Sequence, residues 1–194
     1  MPETAKAEGI NWHPRVRVLQ YGRDTMSRII DKLGYEPVDG ELMAFTPDNI
    51  VHDERNQCVT VGLNLIGNLI VGAGGAAFNS SQSIIGVGSS STAFSVSQTA
   101  LGGDGSTSTA YYQATGVAPT QSNGVISAQT TFATGNANFV WNEWCLSTGT
   151  GTITAGGTLA SVATSTTMLN RKVVSLGTKG SGTSWVIQIT LTLS

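Results

Sequence analysis

Glu143 is the first residue to weigh for chemistry, because it is the one acid in the tryptophan-rich run Ala137 to Leu146, ANFVWNEWCL. Acid–base catalysis by carboxylates takes a pair, and the next acid back in the chain, Asp104, sits far off in a glycine-rich stretch. Glu143 is therefore expected to form an ion pair or hydrogen bond with Arg171 or Lys172, tying the aromatic strand to the next one. Trp141, Trp144 and Trp185 could stack on sugars, but they alternate with core residues and read as packing groups. A nucleophilic triad needs a histidine beside a buried acid. The two histidines, His13 and His52, both lie before residue 57. His13 precedes Pro14 and reads as a solvated or contact residue. His52, beside Asp53 and Glu54 in a helix-like run, reads as surface.

Cys58 and Cys145 lie far apart and read as free, buried, small hydrophobes, with no second Cys or His near either at zinc spacing. Gly86-Val87-Gly88-Ser89 has part of a phosphate-loop pattern but lacks the third glycine and the lysine, so a tight bend after a strand is the expectation. The residues thus point to no catalytic set, no cofactor and no metal. Tyr111-Tyr112, in a glycine-rich stretch, is the best place for a ligand such as a glycan.

The elements that must position these residues are set by an uneven composition. Charged residues make up 11% of the 194-residue chain, against roughly 25% in a typical soluble domain. A surface so sparsely charged suits a protein covered by neighbouring subunits, and points to a homo-oligomer. The net charge of −2 gives no reason to expect nucleic acid. After Arg55 the only charged side chains are Asp104, Glu143, Arg171, Lys172 and Lys179. A boundary is drawn there: residues 1–56 form a charged N-terminal arm, and residues 57–194 a β-rich domain led by a helix over 57–72. The arm has too little apolar content for a core of its own. It contains an extended lead over 1–14, a short strand RVRVLQY over 15–21, and a helix over 24–33 capped by Asp24 and ended by Gly34.

Val59 to Phe78 carries no charge over a span-like length, but Asn64, Asn68 and the helical spacing of Cys58, Leu65, Ile66, Leu69 and Ile70 favour a buried amphipathic helix over a membrane span. Gly72, Gly74 and Gly75 supply its stop. MPETAKAEG has no apolar core, so no secretory signal is expected. Short strands and turns follow: Ser83 to Val87; a tight turn at Asn123-Gly124 leading into Val125 to Ala133; Ala137 to Leu146, with Phe139 and Trp141 on one face and Trp144 on the other; and Val173 to Leu176. The closing run Trp185 to Ser194 has period two, with Trp185, Ile187, Ile189, Leu191 and Leu193 facing a core. The pattern predicts a mainly β fold, an antiparallel sandwich or barrel with one amphipathic helix and an extended N-terminal arm.

Three segments carry a resemblance: LNLIGNLIVGAGGAAFNSSQSIIGVGSSSTAFSVSQTAL, TTFATGNANFVWNEWCL and TMLNRKVVSLGTKGSGTSWVIQITLTLS. Together they resemble small structural proteins of tailed-phage virions, especially phages of actinobacteria, of the decoration, minor capsid and minor tail kinds. The likeness covers about residues 61–194. Cys145 departs from the glycine expected at its position, and the loop from Thr150 to Thr166 is longer and softer. The resemblance implies a virion component, assembled in the host cytoplasm, with no catalytic residues to carry over. The function expected is capsid decoration, stabilising the shell formed by the major capsid protein. The alternatives are a tail- or fibre-associated protein and a receptor- or glycan-binding module. Major capsid or other virion proteins are the expected partners, with no membrane.

Overall fold

The period-two run at the C-terminus becomes the middle strand of a sheet. The computed structural model describes residues 12–54, 57–154 and 156–193. Strand β10 (Ser184–Leu193) buries Trp185, Ile187, Ile189 and Leu191 on one face and pairs antiparallel with β1 (Trp12–Tyr21) on one side and β7 (Val125–Phe132) on the other. The strands β2 (Asn49–Glu54) and β6 (Val117–Ser122) complete this first sheet, in the order β2-β1-β10-β7-β6. Asn123 and Gly124 both take positive φ in the two-residue β6–β7 turn, the conformation that this dipeptide favours.

The second sheet has the order β3-β9-β8-β4-β5, from β3 (Gln57–Cys58), β4 (Ser83–Gly88), β5 (Ala110–Ala114), β8 (Val140–Thr150) and β9 (Ser165–Thr178). The two sheets pack face to face as a β-sandwich. Their shared core joins Val16, Val18, Phe132, Ile187 and Ile189 of the first sheet to Ile85, Val87, Trp144, Leu146 and Leu176 of the second. Phe132, Trp141 and Trp185 form a chain of edge-to-face rings with centroids 4.9 and 4.8 Å apart, a geometry that aromatic quadrupoles favour.

The boundary expected at residue 56 falls inside this fold. The lead over residues 1–11 and the residues at 55 and 56 lie outside the described residues. From Trp12 on, however, the expected arm supplies two strands of the first sheet, and β1 sits between β2 and β10. The reason is alternation. Val16 and Val18 enter the core, while Arg15 and Arg17 remain on the outer face. High charge content and a core-building strand are compatible at period two. The segment also builds a satellite core on the outer side of the sheet: Met26 and Ile29 of helix α1 (Arg23–Leu33) and Leu42 of a short 3-10 turn (Glu41–Ala44) cover Leu19, Tyr21 and Val186. His52 lies in strand β2, not in a helical run.

Helix α1 ends at Gly34, with φ 80°, as its sequence predicts, but its N-terminal cap differs. The helix starts one residue early, and Asp48, from beyond the next turn, takes the place assigned to Asp24. Its carboxylate accepts from Gly22 N–H at 2.6 Å and from the Thr25 hydroxyl at 2.7 Å. These two hydrogen bonds, with the Arg28 charge adding, hold the Asp48 carboxyl below its ordinary value against a weak opposing effect of burial. A lowered folded-state value means stabilisation that is full above the unfolded value, about pH 4, and lost as pH falls through the folded value. Asp48→Ala is expected to cost about 0.5–2 kcal/mol, nearer the low end at this exposed site. The urea midpoints of variant and wild type are expected to converge as the solution is acidified through that range.

Helix α2 (Thr60–Ile70) is shorter than the 57–72 expected, because Gln57 and Cys58 pair with β9 as β3. Its approach is set by Gly62, where a Cβ would run into the Leu169 carbonyl, while Val59 N–H donates to that same carbonyl at 3.1 Å. Leu65 is buried and Ile66 and Leu69 are half-buried. Ile70, counted on the same face in sequence, points out and is 76% exposed. Among the described residues no helix is long and apolar enough to cross a membrane.

Candidate functional site

Strand β8 carries the residues singled out for chemistry, and its irregularities decide where they point. Its register against β9 shifts between Trp141 and Glu143, and again between Leu146 and Ser147. The first shift breaks period two. Trp141 and Trp144, expected on opposite faces, therefore both enter the core between the sheets. Glu143 and Cys145 face the other way, toward the covering loops. There a second cluster joins Cys145, Ile84, Tyr112 and Met168 to Val59, Leu101 and Val162, the last from the one-turn helix α3 (Leu159–Val162).

Glu143 and Arg171 meet on this side of the sheet. Arg171 Nε donates to Glu143 Oε2 at 2.6 Å, and both side chains are 0% exposed. Gly102 N–H donates to both carboxylate oxygens, at 2.9 and 3.2 Å. The rest of the guanidinium is also used: Nη2 donates to Thr92 O at 3.0 Å, and Nη1 donates to Gln98 Oε1 at 3.0 Å and Ala93 O at 3.4 Å. A fully buried charge pair needs this degree of hydrogen bonding to offset its desolvation. Lys172, the other partner considered for Glu143, reaches Asp53 at 3.5 Å instead and bridges the two sheets. The carboxylate of Glu143 is thus occupied in fastening the 89–104 loop to the sheet.

The glycines of β4 make room for this arrangement. Gly86 and Gly88, expected in a bend, lie within the strand. A Cβ on Gly88 would collide with the Glu143 carboxylate, and one on Gly86 would lie 2.6 Å from the Tyr112 ring and 2.9 Å from Cys145 Sγ. Rings packed on a sheet cannot swing aside, so Gly86→Ala is expected to cost about 1–3 kcal/mol. Thermal melting of the single variant checks this.

Tyr112 is not a ligand platform. It lies in β5, is 0% exposed, and its hydroxyl accepts from Leu101 N–H at 3.1 Å. Burial raises its pKa well above the usual tyrosine value. Tyr111 is half-buried against Phe132. Trp141, Trp144 and Trp185 are at most 5% exposed, so none offers a face to a sugar. Cys58 and Cys145 are both free; burial pushes their thiols up to about 11 and about 12, which keeps the nucleophilic thiolate scarce. Among the described residues no three of His, Cys, Asp and Glu gather at metal-binding distance.

Where the sequence drew attention inward, the structure leaves an open surface on the other sheet. At the end away from α1, the outer face of the first sheet is largely open, with the 40–43 turn reaching only to Gln188 and Val117. Across it run two rows: Glu54, Arg15, Thr190, Ser127 and Thr120; then His52, Arg17, Gln188, Gln129 and Val117. His13 is exposed and lies beside Thr192 on the same surface. Arg15 pairs with Glu54 at 3.2 Å in a largely exposed contact. Arg17 has no carboxylate within ion-pair distance among the described residues, and lines a shallow groove of about 280 Å³ with Val117, Thr120, Gln129, Gln188 and Thr190. The signal for this surface was present in sequence as the outward half of each alternation, with Arg15 and Arg17 on one strand and Gln188, Thr190 and Thr192 on another. Comparison with protein-family models, curated proteins and solved structures finds no match for this chain.

Proposed function

We propose that the protein is a structural component of a tailed-phage virion, and within that class a capsid decoration protein that stabilises the shell of major capsid subunits. The observation that carries this reading is the open, polar face of the first sheet. The opposite sheet is covered by α2, α3 and the 89–109 loop, whereas this face is open at one end, holds a shallow groove, and carries the cations Arg15 and Arg17. Such a surface works by area and charge pattern. A stable interface buries about 1,200–2,000 Å² in total, and an arginine such as Arg17 on such a surface is the type of residue that anchors one.

The sequence resemblance supports the same reading from another side. Its three segments meet at one place in the fold. Thr92, Ala93 and Gln98 from the first, Glu143 from the second and Arg171 from the third form the buried ion-pair cluster. The cluster gives these motifs a physical reason to occur together: they are the parts of one staple that shapes the domain.

The test is binding to shells stripped of the protein. Decoration predicts shell-wide occupancy, weakened by added salt, since exposed charges are screened. Arg17→Glu is expected to lower that occupancy while leaving the melting temperature of the free protein unchanged. Saturation at a handful of copies, confined to one vertex or to the tail, would move the assignment to the tail-associated alternative.

A further inference from the structure

Lys179 is the molecule's unusual cation. Its side chain lies in the interior, 0% exposed, and among the described residues no carboxylate stands within ion-pair distance of it. It follows the last residue of β9, and its backbone N–H donates to Phe139 O at 3.1 Å. From there Nζ reaches beneath the 133–138 turn, donating to Ala133 O at 2.8 Å and to the side-chain Oδ1 of Asn138 at 2.9 Å. Asn138 Nδ2 in turn donates to Thr134 O at 3.0 Å, and Thr134 N–H donates to Glu36 Oε1 at 2.8 Å. An amine, a carboxamide and a carboxylate are therefore joined through one residue. Burial pushes the Lys179 ammonium down to about 8, a shift that the Glu36 charge partly offsets. Desolvated lysines of this kind have an available lone pair near neutral pH and act as nucleophiles.

We propose that Lys179 and Asn138 join in an intramolecular isopeptide bond that ties the end of β9 to the lead-in of β8. The neutral amine adds through its lone pair to Asn138 Cγ. The Nζ–Cγ bond forms, the Cγ–Nδ2 bond breaks, and Nδ2 leaves as ammonia, taking the proton that Nζ sheds. The Glu36 carboxylate, held at the same turn by Thr134 N–H, is the base assigned to carry this proton from Nζ to Nδ2. No oxidant, reductant or cofactor enters the balance. The two reactants differ in exposure in a useful way: the amine is buried, where it loses its hydration, while Asn138 stands at the surface, where ammonia escapes to water. Holding the two groups in contact makes the step unimolecular, which supplies much of what an amine–amide exchange otherwise lacks.

Intact mass spectrometry of the full chain tests this. After incubation at a mildly alkaline pH, above the lysine's own value, the wild-type chain is expected to be lighter than its sequence mass by one ammonia. Proteolysis is then expected to yield a branched peptide joining Asn138 to Lys179. Asn138→Ala and Lys179→Arg are expected to have full mass, and Glu36→Gln to acquire the deficit more slowly. A wild-type chain that keeps its full mass overturns the proposal and leaves Lys179 as a cap on the turn carbonyls. A deficit that persists in Asn138→Ala also overturns it, because the ammonia then came from another amide. The wild-type mass decides even if a variant fails to fold.

Discussion

Glu143→Gln is expected to lower the unfolding free energy by about 3–5 kcal/mol, because it leaves the Arg171 guanidinium buried without its counter-charge. That is a large share of the ~5–15 kcal/mol that stabilises a typical domain, so urea unfolding of wild type and variant decides the matter. Arg171→Met is expected to cost a similar amount by stranding the carboxylate. The double variant is expected to recover part of the loss, since removing both charges also removes both desolvation penalties. A local signature accompanies the global one. Arg171 and Glu143 bind Thr92, Ala93, Gln98 and Gly102, so limited proteolysis of either single variant is expected to begin in the 89–104 loop. An unchanged midpoint would mean that the pair is solvated in solution and that the loop is held by other contacts.

This pair was legible in the sequence because so few charges follow Arg55 that Glu143 had few possible partners. Gly34 as a helix stop, the Asn123-Gly124 turn and the inward face of β10 were legible too, since each depends on residues adjacent in the chain. What could not be read depends on contacts between distant segments. Asp48 caps α1 from outside the helix, and nothing in the helix's own sequence points to it. The register shift beside Asn142 puts Trp141 and Trp144 on one face, against the strict alternation of a regular strand. Gly86 and Gly88 looked like a bend because their neighbours across the strand, Tyr112 and Glu143, are remote in sequence. The segment before residue 57 differs for another reason: its charge content marks it off from the rest of the chain, yet the alternation in HPRVRVLQY is what makes it a strand of the sheet.

Ile189→Asp is expected to leave the protein insoluble or unfolded. Ile189 is 1% exposed in the shared core, on a strand paired along both edges, so the sheet has no slack through which the side chain could turn out to water. An isolated carboxylate placed there loses its hydration with nothing to replace it, and the buried apolar contact, worth about 1.5–3 kcal/mol for an aliphatic side chain, is lost as well. Thr190→Asp, one residue on, separates the fold from the function. Thr190 faces the groove beside Arg17, where a carboxylate stays hydrated and approaches a cation that has no ion-pair partner among the described residues. The free protein is therefore expected to melt within about 0.5 kcal/mol of wild type, as surface substitutions generally do. On shells the outcome is expected to differ, because the new carboxylate neutralises the cation that the proposed interface presents: occupancy falls although the fold is intact. If Thr190→Asp instead unfolds the isolated protein as Ile189→Asp does, the outer face of β10 is covered in solution by another copy. If it binds shells as well as wild type, the open sheet face is not the surface that meets the capsid.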